Sequence, residues 1–571
     1  MTPPSISTPH VVIFPFMSKG HTIPLLHLAR LLLRHDVAIT IFTTPANHPF
    51  ISHSLPSNGD ISIIALPFPT DIPGIPPGTE STDKLPSMSL FIPFVNGTKF
   101  IQPSFEQALG NFHRQVTCII SDGFLHWTLQ SASKFDIPRL SFYGMGYYAM
   151  VMSRAVFVGG SISLHESDDE EFAVAGFPWI KLCRNDFDDP FDKKDPTGPH
   201  WDFIIEAVTA TANSYGVLVN SFYELEKTFA DHWARECQPQ KAWCVGPLCL
   251  ASPPRTELGH KPEWIEWLDR KWAEGGSPVL YVAFGSQANI SPAQLREIAH
   301  GLENSRTRFL WVVRTSRGAA AEQLNGDFEE RVKGRGIIVN EWVDQREILD
   351  HPSVQGFLSH CGWNSVLEGI CAEVPILAWP MMAEQYLNAK FVAEEIKIGL
   401  RVSTVDGLRK GFVSGESLKS AVTELMEGGK GRELRKNVKE FAEAARESVA
   451  DGGSSWRDLS RLIEESRRQK EAIAPQVGYN TEDGAADNMM RGLNFFESPA
   501  PQWSAPIPFQ QRQHIAIALV NDNHFVQVFL NDDYPVPPIA LLWWDNVSED
   551  CKGWADPYVE RIQSWFALMG I

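Results

Sequence analysis

The 571-residue sequence has no closely paired cysteines, no long apolar run and no excess of positive charge. Its eight cysteines are scattered and none forms a C-x-x-C pair, so neither a zinc site nor a disulfide framework is indicated. Reduced thiols are the simple interpretation, and they favour a cytoplasmic protein. No run of 18 apolar residues is found, which argues against a membrane span. The net charge of −19 argues against nucleic acid or anionic membranes as partners.

The apolar segment Val11–Phe16 is not preceded by a cationic region and is not followed by an evident cleavage site. It therefore predicts a first strand rather than a signal peptide. The apolar content of 43% and the charged content of 21% are ordinary for a soluble globular protein. The length alone suits three or four domains.

Strand patterns alternate with helical patterns along most of the chain, which predicts doubly wound parallel sheets. In the first half, a helix over Leu25–Leu32 follows the first of six expected strands: Val11–Phe16, Val37–Phe42, Ile61–Leu66, Thr117–Ser121, Arg139–Phe142 and Gly216–Asn220. The second half contains five: Val279–Phe284, Phe309–Val313, Gly336–Asn340, Val354–Ser359 and Pro375–Ala378. Residues 67–87 and 157–200 are expected to be loops, with the acidic run Asp168–Glu171 as a solvated face.

A strand, a glycine turn and a helix start follow one another within the 44 residues from Trp342 to Gln385. The strand Val354–Ser359 leads into His360-Cys361-Gly362-Trp363-Asn364-Ser365, and a helical pattern begins near Val366. A helix N-terminus at the carboxyl end of a parallel strand is a ready anion site, and a glycine lets the backbone approach the ligand. These features suggest a phosphate or diphosphate ligand.

The whole stretch resembles the signature box of plant UDP-sugar-dependent family 1 glycosyltransferases. It matches in the first Trp, the following Gln, the H-C-G-W-N-S run, the Glu three residues later, the W-P pair and the final acidic residue with Gln. Asp344 departs from the family, which more often has Pro there, and we expect it to change loop stiffness rather than chemistry. The resemblance covers roughly residues 8 to 468. It implies the GT-B fold, in which two Rossmann-like domains face a cleft.

The resemblance implies a role for each matching position. Trp342 would stack on uracil, Gln345 would reach the uridine, and Glu368 would accept hydrogen bonds from the ribose hydroxyls. Around the diphosphate it places Ser286, His360, Gly362, Asn364 and Ser365. Trp363, Glu384 and Gln385 would face the sugar hydroxyls, and a terminal Gln is associated with glucose. The alternative for isolated tryptophans such as Trp342 and Trp363 is simple core packing.

The run Pro15-Phe16-Met17-Ser18-Lys19-Gly20-His21 resembles the family's N-terminal motif, whose His is the general base. A neutral imidazole has the right pKa to take a proton from an alcohol or phenol near pH 7. Asp122 follows the strand that ends at Ser121, and the family places an Asp there to hold the other ring nitrogen. The reaction implied is inverting glucosyl transfer from UDP-glucose, in one step and without a metal or other cofactor.

The implied acceptor is a small lipophilic hydroxyl compound, such as a phenolic, flavonoid or terpenoid. Candidate pocket residues are Phe91, Phe94, Tyr143, Met145, Tyr147, Tyr148 and Phe203, although core packing explains each equally well. The Asp186-Phe187-Asp188 run matches a bare D-x-D metal pattern, but it lies in a Pro-flanked loop, so we expect no metal there. The alternative function is a non-catalytic UDP-sugar-binding or interaction protein.

We expect an acceptor-binding domain over 1–250, a linker over 251–262, a donor-binding domain over 263–469 and an atypical extension over 470–571. The last helix of the donor domain, within 432–469, would cross back to the first domain. In the extension, His514–Val520 and His524–Leu530 predict a hairpin with a turn at Asn521–Asn523, and Trp554–Met569 predicts an amphipathic helix. This part resembles a fragment of plant transposon-derived OTU-like cysteine protease proteins. In that comparison His524 would be the catalytic His, but no matching Cys lies between 470 and 524, so we expect an inactive fusion that is either a small α+β unit or disordered. Separately, we expect the transferase to be a monomer.

Overall fold

Two parallel sheets carry the fold, which is available as a computed structural model. The residues that it describes are 8–56, 59–158, 167–237, 241–251, 261–276, 278–285, 287–288, 290–313, 327–473, 513–519 and 524–530. The chain divides into two units, residues 1–474 and 475–571. Both parallel sheets belong to the first unit.

The first sheet has seven strands, in the order β3-β2-β1-β4-β5-β8-β9, and every neighbouring pair is parallel. The strands are β1 (His10–Phe14), β2 (Ala38–Thr43), β3 (Ile61–Ala65), β4 (Cys118–Asp122), β5 (Arg139–Tyr143), β8 (Gly216–Val219) and β9 (Lys241–Cys244). Between β5 and β8, the strands β6 (Phe172–Val174) and β7 (Phe177–Leu182) form a small antiparallel hairpin.

The second sheet has six strands, in the order β12-β11-β10-β13-β14-β15, and it is also wholly parallel. Its strands are β10 (Val279–Ala283), β11 (Arg308–Val312), β12 (Gly336–Val339), β13 (Val354–Ser359), β14 (Ile376–Ala378) and β15 (Gly399–Arg401). In both sheets the chain adds strands first on one side of the first strand and then on the other, as in doubly wound sheets. The predicted fold class is therefore confirmed.

Helices connect the strands and cover the sheets. In the first half they are α1 (Lys19–Arg34), α2 (His48–His53), α3 (Phe91–Gly97), α4 (Gln102–Gly110), α5 (Thr128–Lys134), α6 (Tyr147–Val158), α7 (Pro199–Ala212) and α8 (Tyr223–Glu236). In the second half they are α9 (Glu263–Ala273), α10 (Pro292–Ser305), α11 (Phe328–Val332), α12 (Gln345–Leu349), α13 (Trp363–Cys371), α14 (Gln385–Lys390), α15 (Gly415–Met426), α16 (Gly429–Val449) and α17 (Ser454–Ile473). Among the described residues, no helix combines the length and the apolar character that a membrane crossing needs.

The central strands of both sheets are buried on both faces, so their sequences are largely continuous apolar runs rather than alternating ones. All five residues of β1 are buried, and so are all five of β10. The last helix, α17, packs Leu459, Leu462 and Ile463 into the core of the first sheet. Asp458 of α17 accepts the backbone N–H of Cys244 at 2.9 Å.

All the strands predicted in the two halves are present, with bounds shifted by one or two residues at most. The segment 157–200 is not simply a loop, because it contains the hairpin β6–β7 and the start of α7. The acidic run within it is solvent-exposed, as predicted, but two of its carboxylates also form ion pairs. Asp168 pairs with Arg184 at 2.7 Å, and Glu171 pairs with Arg409 at 2.7 Å. Opposite charges from distant parts of the chain explain this difference.

In the second unit, β16 (Gln513–Leu519) and β17 (His524–Leu530) pair antiparallel, which confirms the predicted hairpin. The predicted turn Asn521–Asn523 and the predicted helix Trp554–Met569 lie outside the described residues. Most of the predicted linker and residues 474–512 also lie outside them.

Candidate active site

A cavity of about 1960 Å³ lies where the carboxyl ends of the two sheets face each other. Its walls include residues that follow β1, β4 and β5 on one side and β10, β13 and β14 on the other. Open α/β sheets bind ligands at this end of their strands. Predicted site residues from both domains therefore border one continuous cavity.

His21 and Asp122 form a hydrogen-bonded pair at the first-sheet side of the cavity. His21 lies in the first turn of α1, Asp122 ends β4, and Nδ1 of His21 is 2.7 Å from Oδ2 of Asp122. Asp122 is buried, and its Oδ1 accepts the backbone N–H of Phe124 at 2.9 Å. Burial lowers the pKa of His21, but the charge of Asp122 and the hydrogen bond to it raise the pKa, and the net result lies above the usual value of 6.5. With Nδ1–H donated to Asp122, the lone pair of Nε2 is free to accept a proton.

The N-terminus of α13 lies on the other side of the cavity, directly after β13. Gly362 is the residue before the helix, and a Cβ there would lie 2.6 Å from Nε2 of His360. A Cβ at Gly285, which has φ +77°, would lie 2.7 Å from the same atom. The imidazole therefore fits only because both turns have glycine. Burial lowers the pKa of His360 to about 4, so the ring is neutral beside the unpaired N–H groups of the helix.

Trp342, Gln345 and Glu368 all line the cavity, and the side chain of Trp342 is exposed. The amide nitrogen of Gln345 donates to Oε2 of Glu368 at 2.6 Å and to Oγ of Ser365 at 2.9 Å. Burial raises the pKa of Glu368 to about 7. Asp344 caps the N-terminus of α12, since its carboxylate accepts the N–H of Glu347 at 3.3 Å. This departure from the family pattern replaces the stiffness of a proline with a side-chain cap.

Glu384 and Gln385 follow a tight turn after β14, in which Ala383 has φ +53°. Oε1 of Gln385 accepts the N–H groups of Met381 and Met382, both at 3.0 Å. Its amide nitrogen is therefore the polar atom that remains to donate into the cavity. Burial raises the pKa of Glu384, which lies close enough to His21 for their charges to interact.

Trp363 borders the cavity, but most of its side chain is buried between the two domains, so its contact with a sugar stays a prediction. The indole is 2% exposed, and its N–H donates to the carbonyl of Asn220 at 2.7 Å. The ring packs against Phe391 and close to Gly146, so it joins the two domains. The neighbouring Asn364 also joins them, since its amide donates to the carbonyl of Gly20 at 2.6 Å, next to His21. Ser286 lies outside the described residues.

Known proteins match both the sequence and the fold. The model of the family "UDP-glucoronosyl and UDP-glucosyl transferase" matches residues 260–439. UDP-glycosyltransferase 90A1 of Arabidopsis thaliana is 51% identical over 82% of this chain and 99% of its own length. The chain belongs to the plant UDP-glycosyltransferase family. UDP-glucose flavonoid 3-O-glucosyltransferase 7 of Fragaria ananassa is 37% identical over 80% of this chain and 96% of its own.

The crystal structure of Glycyrrhiza uralensis UGT73P12, complexed with glycyrrhetinic acid 3-O-monoglucuronide, is similar to this UDP-glycosyltransferase with a TM-score of 0.73. The identity is 30%, and the match covers 85% of this chain and 99% of that one. The two-domain architecture is thus the GT-B fold that the sequence resemblance implies.

Four of the seven candidate acceptor residues line the cavity of this glycosyltransferase: Phe91, Tyr143, Met145 and Phe203. The other three do not, because Phe94, Tyr147 and Tyr148 are buried in apolar cores. Two residues that the sequence analysis missed flank the His21 ring, with centroid distances of 5.4 Å for Phe16 and 4.9 Å for Phe124. Phe16 lies two residues after β1 and Phe124 lies two residues after Asp122, and these positions at the carboxyl ends of strands are the signal that points to them.

Both aspartates of the D-x-D run are bound by other groups of the protein. Asp186 is fully buried, and its carboxylate lies 3.3 Å from Nε of Arg409. Asp188 accepts the backbone N–H of Ala383 at 2.6 Å. Within the described part of the chain, no three His, Cys, Asp or Glu side chains are grouped as metal ligands would be.

Proposed function

We propose that this protein transfers glucose from UDP-glucose to a hydroxyl of a small lipophilic plant metabolite, with inversion and without a metal ion. The observation that carries the proposal is the His21–Asp122 pair, which opens into the same cavity as the N-terminus of α13. A base on one wall and an anion site on the other suit a reaction that moves a proton and releases a diphosphate.

The reaction is a single displacement. Nε2 of His21 accepts the proton of the acceptor hydroxyl, and Asp122 stabilises the imidazolium that forms. The acceptor oxygen bonds to the anomeric carbon as the bond from that carbon to the UDP oxygen breaks, so an α-linked sugar becomes β-linked. The charge of the leaving UDP is balanced by the N–H groups of α13 and by His360, together with Ser286. Juxtaposition of the two substrates in one cavity supplies much of the remaining acceleration.

The choice of glucose rests on the sugar end of the cavity. The amide nitrogen of Gln385 is directed away from its own turn, and Glu384 supplies an acceptor beside it. A donor and an acceptor side by side suit adjacent hydroxyls of a hexose. The Fragaria relative is named as a UDP-glucose flavonoid 3-O-glucosyltransferase, which supports the same donor. In this proposal, Trp342, Gln345 and Glu368 hold the uridine.

The choice of a lipophilic acceptor rests on the aromatic wall around His21. Phe16, Phe91, Phe124 and Phe203 all line the cavity on this side. Phe124 and Phe203 contact each other at a centroid distance of 5.4 Å, so the wall is continuous. Such a wall favours a ring-containing molecule over a sugar or a peptide. The glycyrrhetinic acid glucuronide in the Glycyrrhiza structure is consistent with this class.

The test is acceptor-dependent release of UDP from UDP-glucose, measured with EDTA present against flavonoids, simple phenols and terpenoid alcohols. We expect release with at least one acceptor, and we expect His21→Ala to abolish it while the Kd for UDP changes by less than about twofold. Binding of UDP without turnover on any acceptor would contradict transfer and favour a UDP-sugar-binding protein. Activity that EDTA removes would contradict the metal-independent step.

A further inference from the structure

A loop of the first domain reaches across to the turn that carries the sugar-facing side chains. The loop follows β7 and contains Asp186, Phe187 and Asp188, and the turn contains Met381 to Glu384. Oδ2 of Asp188 accepts the N–H of Ala383 at 2.6 Å. A charged acceptor at this distance makes a strong hydrogen bond.

The turn needs such support because of its backbone. Ala383 has φ +53°, a left-handed conformation that is costly for a residue with a Cβ. Inside the turn, the side chain of Gln385 holds the N–H groups of Met381 and Met382. Asp188, which belongs to the first domain and not to the turn, accepts the N–H of Ala383. The orientation of Gln385 therefore depends on contacts from both domains.

The loop that carries Asp188 is itself firmly held. Phe187 is 3% exposed, and the carboxylate of Asp186 accepts the N–H of Cys183 at 3.0 Å while it pairs with Arg409 of the second domain. A buried ion pair and a buried aromatic ring, at the two residues that precede Asp188, fix the loop next to its contact with Ala383. A fixed loop can orient the turn, whereas a mobile one could not.

We propose that Asp188 is a positioning residue that sets the selectivity for the transferred sugar. It acts through the N–H of Ala383, which fixes the turn so that Glu384 and Gln385 point at the sugar hydroxyls. This inference rests on the proposed function, since it assumes that these two side chains meet the sugar. It adds that the sugar subsite is complete only when the first domain is in contact with the second.

The experiment compares Asp188→Ala, Asp188→Asn and Glu171→Gln in the full chain. Asn keeps an oxygen that can accept the Ala383 N–H, whereas Ala removes it. Glu171→Gln is the matched control, because it breaks another contact between the domains, the 2.7 Å ion pair with Arg409, while Arg409 keeps its pair with Asp186 and the turn is untouched. The measurements are kcat/KM for UDP-glucose and UDP-galactose at saturating acceptor, and the Kd values of UDP and of UDP-glucose.

For Asp188→Ala we expect kcat/KM with UDP-glucose to fall about tenfold and the preference for UDP-glucose over UDP-galactose to shrink, with the Kd of UDP unchanged. Asp188→Asn should recover most of the loss, and Glu171→Gln should match the wild type. Unchanged sugar preference in Asp188→Ala, or an equal loss in UDP affinity, would overturn the proposal. If the wild type transfers nothing, the proposed function fails, but the affinity of UDP-glucose relative to UDP still decides the role of Asp188.

Discussion

At the scale of single residues, the tautomer of His21 decides whether it can act as a base. Asp122 accepts the Nδ1–H, which leaves Nε2 unprotonated toward the cavity. In Asp122→Asn, the amide oxygen can still accept the N–H of Phe124, but the amide nitrogen would face Nδ1. His21 would then carry its proton on Nε2, the atom that must accept one. We expect kcat to fall by at least about 100-fold.

The pH profile of the wild type gives a second readout of the same pair. The pKa of His21 lies above its usual value in the free protein, and the base must be neutral to work. The acid limb of kcat/KM should therefore lie above pH 6.5, and the residual activity of Asp122→Asn should show a limb at lower pH, because the charge that raises the pKa is gone. An unshifted limb in this variant would mean that another group titrates. The Kd of UDP serves as the control and should not change.

The raised pKa of Glu368 leads to a different pH effect, which concerns the affinity for the nucleoside rather than turnover. In the free protein its pKa is about 7, because it is buried. Ribose hydroxyls that donate to the carboxylate favour its charged form and lower its pKa in the complex. Affinity should thus weaken as the pH falls through about 7, because the carboxyl of the free protein then takes up a proton that binding must release. Titration calorimetry with uridine, which has no phosphate to protonate, measures this directly.

The matched variant for this prediction is Glu368→Gln, which keeps the shape of the side chain but does not titrate. Its affinity for uridine should be weaker and should not vary across the same pH range. A pH dependence that persists in Glu368→Gln would assign the effect to another group. Calorimetry in buffers with different ionisation enthalpies should also show proton release on binding at neutral pH in the wild type and none in the variant.

At the scale of elements, the junction between β13 and α13 was well predicted by the sequence. The apolar strand, the glycine and the helix-starting residues are all local signals, and the observed helix begins at Trp363. The orientation of Trp363 was not predictable in this way, because its partner is the carbonyl of Asn220, 143 positions away. For Tyr147 and Tyr148 the core-packing alternative describes their positions, since Tyr147 contacts Trp233 and Tyr148 contacts Phe391, and neither partner is visible in the local pattern.

The same junction allows a steric prediction. Gly362 has φ −56°, which any residue can adopt, so Gly362→Ala is disfavoured only by the 2.6 Å approach of its Cβ to His360. Such overpacking typically costs about 1–3 kcal/mol, and we expect the displaced imidazole to weaken UDP binding by about tenfold or more. The measurement is the Kd of UDP by calorimetry.

A double-mutant cycle separates this clash from a general defect of the turn. His360→Ala alone should weaken UDP binding through the loss of a polar group. Adding Gly362→Ala to His360→Ala should cost nothing further, because the clashing ring is absent. If the two losses simply add, the contact between Gly362 and His360 does not explain the requirement for glycine.

At the scale of the whole molecule, contacts far apart in the chain hold the site together. Gly20, Asn220 and Asp188 in the first domain meet Asn364, Trp363 and Ala383 in the second. The sequence predicted the two sheets because strands and helices alternate locally. It did not predict these contacts, or the pairing of the acidic run with Arg184 and Arg409, because each depends on how the sheets and their loops pack. The resemblance to a family identified the candidate site residues, and the structure identified the groups with which they form hydrogen bonds.

The position of α17 leads to a prediction about the length of chain that the transferase needs. Leu459, Leu462 and Ile463 fill the core of the first sheet, and Asp458 holds β9. A chain that ends at residue 452 would expose that core to water, at a typical cost of about 2–5 kcal/mol for each large apolar side chain lost. We expect it to aggregate or to be cleaved rapidly in limited proteolysis. A chain that ends at residue 474 keeps α17 and every described residue of the candidate site, so it should bind UDP and transfer sugar like the full protein. Loss of transfer in the longer truncation would give residues 475–571 a part in the reaction, and full stability of the shorter one would show that the first sheet does not need α17.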